Sequence, residues 1–282
     1  MGLKELLLLR LAKRWISGVD LDSAMADAQK ANSKGMGAVV NFLGEEIRDP
    51  AIAESHTEEY LRLQQRISDE GIRGFASVKL TQLGLGADDE GALKRLERIA
   101  DNSDRLNQAL WIDMESSEFT ERTITMYLAS LKAHRNLGIV LQAYMKRSET
   151  DLPRLLDAGA RIRLVKGAYR ESPEVVYHSK RDVAENFGRL MGSLFERGSD
   201  FAIATHDSVL IEEAKNLAKT KEHIDFEFEM LKGIRDELKV DLNRSGFKVS
   251  EYLPYGDRWF AYSKRRITEH PSNIVLLLRS LV

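Results

Sequence analysis

Eight short apolar runs, rich in β-branched or aromatic residues, recur along this chain, with charged stretches between them. They are Gly37–Leu43, Phe75–Leu80, Ala109–Met114, Gly138–Ala143, Arg161–Val165, Phe201–Thr205, Asp225–Phe228 and Lys248–Leu253. By length and composition each reads as a buried strand. The intervening stretches, such as Glu90–Ala100, Arg122–Arg135 and Lys180–Arg197, carry helical periodicity. A helix between successive strands implies right-handed crossovers and a parallel sheet. Eight such units predict an α/β chain folded as a (β/α)8 barrel of TIM type. The competitor is an open doubly wound sheet, which would usually place G-x-G-x-x-G after its first strand. Here Gly84-x-Gly86 runs into Ala87-Asp88-Asp89, and Gly35-x-Gly37 precedes a strand, so the barrel is preferred.

The chain of 282 residues has room for one such barrel. Residues 1–34 read as a helical segment and 35–282 as a single catalytic domain, with no Pro/Ser-rich linker between them. There is no cysteine, which excludes a disulfide framework, a thiolate nucleophile and Cys-ligated metal. The 42 basic and 44 acidic residues leave a net charge of −2, which argues against nucleic-acid binding. Met1–Leu11 (MGLKELLLLRL) and Asn273–Val282 are apolar but too short to span a bilayer. The expected location is the cytoplasm. Core packing is the plain reading of the two ends. Peripheral contact with the inner face of a membrane is the alternative, and either end could also form a homo-oligomer interface.

Polar residues collect where the strands end, the place where barrels of this kind carry their sites. Lys79 follows strand two, and a buried lysine needs a partner or a ligand. Asp113 closes strand three and is its expected neighbour. Gln142 and Tyr144 end strand four. Arg161 and Arg163 share parity on strand five, which runs into Lys166, Gly167, Ala168 and Tyr169. The glycine there allows a close approach of backbone to ligand. Thr205, His206 and Asp207 end strand six, Glu227 and Glu229 lie on strand seven, and Tyr252 on strand eight. No HxH or HExxH occurs, so His206 reads as a hydrogen-bonding group and no metal is expected.

Trp259–His270 has helical spacing, and Tyr262, Arg265, Arg266 and Glu269 stand at i, i+3, i+4 and i+7 on one face. Such a stripe on a surface helix is usually solvated. Directly after the last barrel strand it can instead lie over the mouth, where two arginines suit a carboxylate.

These segments together resemble the proline dehydrogenase family, in its compact single-function form. The resemblance rests on SVKLTQLG (Ser77–Gly84), DME (Asp113–Glu115), LQAY (Leu141–Tyr144), RLVKGAYRE (Arg163–Glu171), ATHD (Ala204–Asp207), FEFE (Phe226–Glu229) and YLPYG…W..Y..RR..E (Tyr252–Glu269). It implies a barrel that holds FAD without a Rossmann fingerprint and oxidises L-proline to 1-pyrroline-5-carboxylate. It also implies that hydride goes to the flavin N5 and that electrons pass on to a quinone. It further implies that Arg265, Arg266 and Lys79 hold the substrate carboxylate, that Tyr252, Tyr262 and Leu231 wall its ring, and that Glu269 orders the last helix. Arg163 would lie by the flavin N5. Gln142 and the backbone of Val165, Lys166, Gly167 and Ala168 would bind the isoalloxazine. Thr205, His206 and Tyr169 would contact the flavin or its ribityl–phosphate tail, with Asp113 and Met114 beside Lys79 and the ring. The chain departs from the family pattern at Glu229, where Gln is common, and at Asp207, where some relatives carry Asn. Two alternatives stay open on these residues: a hydroxyproline or another cyclic imino acid as substrate, and a sensor barrel that binds without turnover.

Overall fold

The computed structural model describes residues 12–221, 224–260 and 262–263. Eight parallel strands close into a barrel in sequence order. They are β1 (Gly37–Phe42), β2 (Gly74–Val78), β3 (Leu110–Ile112), β4 (Leu137–Gln142), β5 (Arg161–Val165), β6 (Asp200–Ala204), β7 (Asp225–Leu231) and β8 (Lys248–Tyr255). Closure comes from β8 pairing with β1, with Val39 opposite Tyr252. A helix α1 (Leu21–Ser33) precedes the barrel. The crossovers carry α2 (Pro50–Asp69), α3 (Asp89–Arg105), α4 (Ser117–Ser130), α5 (Ser148–Asp157), α6 (Lys180–Arg197), α7 (Ser208–Thr220) and α8 (Asp236–Arg244).

The two faces of the sheet differ in kind, which explains why the strands read as apolar runs. Outward residues such as Val40, Val78, Ile112, Ile139, Leu164, Ile203 and Phe228 join the helices in the main core. Burial on that side sets the register, since a slip of one residue would turn every outward side chain inward. The inward face holds only a small apolar cluster of Val39, Trp111 and Ala202, with Phe75 and Tyr252 against it. Barrel interiors are usually filled with branched apolar side chains. Here Asp113, Arg161, Arg163, Glu227 and Glu229 place charge among the inward positions.

Trp111 fits because Gly138 faces it on β4. A Cβ on Gly138 would lie 2.2 Å from the indole, well inside contact distance. Helix starts follow local chemistry. Asp20, Asp88 and Asp207 accept backbone N–H groups at the first turns of α1, α3 and α7. The sequence places a helix over Arg122–Arg135, but α4 begins earlier, at Ser117. The Ser117 N–H and hydroxyl both donate to the Glu171 carboxylate at 2.6 Å, so an acid from the β5 loop caps the helix from outside. Strand β2 stops at Val78, where the chain turns into a short 3-10 turn, Leu80–Leu83.

Candidate active site

The hub of the barrel interior is Arg163. Ile162 and Leu164 point out into the helix–sheet core, so alternation turns Arg163 inward. It is 2 % exposed. Its Nη1 donates to Asp113 Oδ1 at 3.0 Å and to Ser77 Oγ at 3.1 Å. The Ser77 hydroxyl donates to the same Asp113 oxygen at 2.8 Å, and Tyr252 Oη donates to Asp113 Oδ2 at 2.8 Å. On another side, Arg163 Nε lies 2.6 Å from Glu229 Oε2, an ion-pair contact whose N–H is not aimed at the oxygen. The guanidinium carbon stands 4.7 Å from the Trp111 ring centre and 5.7 Å from that of Tyr252. Both aromatic faces favour a cation there.

Burial alone would push the Arg163 pKa down. Glu229 and Asp113 reverse that and hold it above the ordinary value, so the charge is permanent. Burial pushes the Tyr252 phenol up, and the Asp113 charge adds to it, so Tyr252 stays a neutral donor. Glu229 is 2 % exposed. Burial raises its pKa to about 8 against the pull of Arg163.

Lys79 and Asp113 do not pair in the way the strand ends suggested. Lys79 Nζ donates to Glu45 Oε2 at 2.8 Å, and Asp113 is bonded to Arg163, Ser77 and Tyr252. Lys79 is one step past β2, so its side chain reaches the loop after β1, where Glu45 sits. Tyr169 Oη also donates to Glu45, at 3.4 Å. Glu45 was not among the residues singled out from sequence, and no motif marks it. Ser77 and Trp111 were missed as well, although each shares inward parity with a residue that was named. Glu115 is buried and accepts from the Thr81 N–H and hydroxyl, which holds the 3-10 turn beneath Lys79.

Val165, Lys166, Gly167, Ala168 and Tyr169 are all half-buried along the rim. Gly167 has φ +106°, and a Cβ there would lie 2.1 Å from the Tyr144 ring. The close approach that this glycine permits is therefore to Tyr144. Gln142 donates to the Glu115 carbonyl at 2.8 Å. His206 Nε2 accepts the Leu231 N–H at 2.9 Å, which assigns the neutral ring proton to Nδ1. Thr205 Oγ1 accepts the Asp207 N–H at 3.2 Å, and Asp207 pairs with Lys166 at 2.7 Å. Met114 is buried in the main core. Tyr262 is buried against Trp15, Leu43 and Trp259, and Trp15 Nε1 donates to Ser263 Oγ at 2.9 Å. The helix that follows β8 thus starts against the loop after β1. Arg265, Arg266 and Glu269 lie outside the described residues, as do both apolar ends of the chain. Among the described residues there is no metal-holding cluster, and no helix is long and apolar enough to cross a membrane.

A family model described as "Proline dehydrogenase" matches residues 24–275. The chain belongs to the proline dehydrogenase family. It is an oxidoreductase with proline dehydrogenase activity. Two relatives in this family are "Proline dehydrogenase 2" of Bacillus subtilis and "Proline dehydrogenase" of Deinococcus radiodurans. The first is 33% identical over 96% of this chain and 93% of its own length. The second is 33% identical over 96% of this chain and 90% of its own length. Among solved structures, proline utilization A from Bdellovibrio bacteriovorus superposes with a TM-score of 0.86 at 23% identity. That likeness covers 93% of this chain but only 33% of the larger protein, and it supports the proline dehydrogenase barrel as a fold.

Proposed function

We propose that the protein oxidises L-proline to 1-pyrroline-5-carboxylate with FAD as hydride acceptor and a quinone as the next electron acceptor. The carrying observation is the fully buried Arg163, fixed by a hydrogen bond to Asp113, with Glu229 beside it, and set between two aromatic rings. A purely structural barrel would have no need to bury a permanent cation in its interior.

The residues present fit a flavin. Arg163 Nη2 is buried with no acceptor among the described residues, so the site has a donor in reserve for an electron-rich ring. When bound, FAD supplies the two-electron acceptor. The protein's own residues orient and tune. Gln142 and the backbone from Val165 to Ala168 would hold the isoalloxazine. Tyr169, Thr205 and His206 would serve the ribityl–phosphate tail. Arg163 places fixed positive charge where negative charge develops, with no reorganisation during the reaction. Asp113 keeps Arg163 and the Tyr252 hydroxyl in position.

On the substrate side, Arg265 and Arg266 with Lys79 would hold the carboxylate as charge-assisted pairs. Tyr252, Tyr262 and Leu231 would wall the apolar ring and exclude water. Glu269 would order the helix that carries the arginines. Proline is favoured over a hydroxyproline because the wall residues supply an apolar surface to the ring. A membrane quinone would receive the electrons, and the apolar ends of the chain would give peripheral contact with that membrane or with a second copy of the chain. Turnover of L-proline and trans-4-hydroxy-L-proline, compared side by side with a water-soluble quinone, tests the assignment. A higher kcat/KM for proline supports it, and a preference for the hydroxylated ring contradicts it.

A further inference from the structure

Arg163 stands between two carboxylates that it serves unequally. Asp113 receives directed hydrogen bonds from Arg163, Ser77 and Tyr252. Glu229 receives none: both of its oxygens are buried without an aligned donor among the described residues, although Arg163 Nε is 2.6 Å away. Glu227, two residues back on the same face of β7, adds a second acid to the column. Its Oε2 accepts from Ser250 Oγ at 2.5 Å. The groups facing Glu229 are therefore Arg163 from β5, Asp113 after β3 and Glu227 from its own strand. Arg161 and Asp200 stand beyond, near Glu227. One guanidinium cannot neutralise three acids in a dry interior. Asp113 has the donors, so Glu229 is the acid whose charge is least supported, and the first to take a proton when further negative charge is added.

Glu227 and Ser250 also line a cleft of about 630 Å³ at the N-terminal end of the barrel, with Arg161, Asp200 and Lys248 in its wall. Glu229 stands two residues further along β7 than Glu227, which lines this cleft.

We propose that Glu229 is a proton acceptor that takes up one proton when negative charge arrives beside Arg163. This rests on the flavin reading above. The balance is simple. Proline loses two hydrogens: one leaves carbon as hydride and reduces the flavin, the other leaves the amine as a proton. Hydride transfer alone would add one negative charge to the space beside Arg163. One proton on a Glu229 oxygen restores the charge around Arg163, and reoxidation by the quinone releases it. The raised pKa of Glu229, about 8, places this exchange near and above neutrality.

The pH dependence of the flavin midpoint potential in the holoenzyme counts the protons taken up per electron pair. For the unmodified protein the count rises from one toward two as pH passes upward through about 8. Glu229→Gln stays at one, and Glu227→Gln keeps the rise. A count of one at every pH, or a rise that survives Glu229→Gln, overturns the proposal. Should Glu229→Gln fail to fold, the redox-difference infrared spectrum of the unmodified protein decides. A protonated carboxyl band must appear on reduction above neutral pH, and its absence overturns the proposal. A protein that takes no flavin overturns the reading beneath it, an outcome distinct from a flavoprotein with no extra proton.

Discussion

Arg163 Nη1 reaches Asp113 Oδ1 at 3.0 Å across the interior of the barrel, from β5 to the end of β3, with β4 lying between the two strands. No ladder bond joins those strands, so the pair is a brace through the core of the barrel. It fixes the cation and the carboxylate against each other whatever the loops above them do.

Tyr252 and Ser77 complete that brace, so their effects should couple. Tyr252→Phe removes one hydrogen bond to a buried carboxylate, an expected loss of about 1.5–3 kcal/mol of stability. In combination with Asp113→Asn, the double variant should be less destabilised than the sum of the two, because the shared partner is lost once. Urea unfolding of the four proteins gives the coupling, and strict additivity would show that the Tyr252 hydroxyl does not act through Asp113.

Gly138→Ala should be costly for a residue so small. Its Cβ would meet the Trp111 indole at 2.2 Å, and the indole in turn backs the Arg163 guanidinium. Overpacking of this kind costs about 1–3 kcal/mol or more. A denaturant midpoint unchanged from the parent would mean that Trp111 can move aside freely.

The barrel itself was legible in the sequence because the outward half of every strand packs on helices and is apolar. Val40, Val78, Ile139, Leu164 and Phe228 supply that signal. The inward half was legible only in part. Parity placed Arg161 and Arg163 on one face, and both indeed approach the Trp111 ring. Parity does not say which carboxylate across a closed barrel meets which cation. Hence Asp113 was assigned to Lys79, its neighbour along the rim, when the longer reach of Arg163 claims it. Glu45 stayed hidden because it sits in a loop, where neither period nor register constrains the reading. Glu171 capping α4 was hidden for the same reason.

Away from the site, His134 predicts a pH effect on stability. Burial disfavours its charge, but Asp104 at 2.6 Å and Glu97 at 2.9 Å outweigh that and hold its pKa above the ordinary value. A histidine with a raised folded-state pKa contributes stability that is complete below its unfolded pKa, about 6.5. That contribution is lost as pH rises through the folded value. His134→Gln should therefore lose about 1–2 kcal/mol at mildly acid pH and less at alkaline pH. Thermal melts at several pH values test this, and an unchanging difference contradicts it.

Arg265→Ala tests the carboxylate clamp that the resemblance implies. Removing one charge-assisted pair should raise the KM for proline by about tenfold or more. An unchanged KM would show that the arginine does not touch the substrate.

The most direct measurement is an absorbance spectrum of the purified protein, repeated after anaerobic addition of L-proline. Flavin bands that bleach with proline are expected. Flavin bands that persist would contradict the substrate. A protein that stays colourless after incubation with FAD would contradict the cofactor, and with it the proposed work of Arg163, Gln142 and His206.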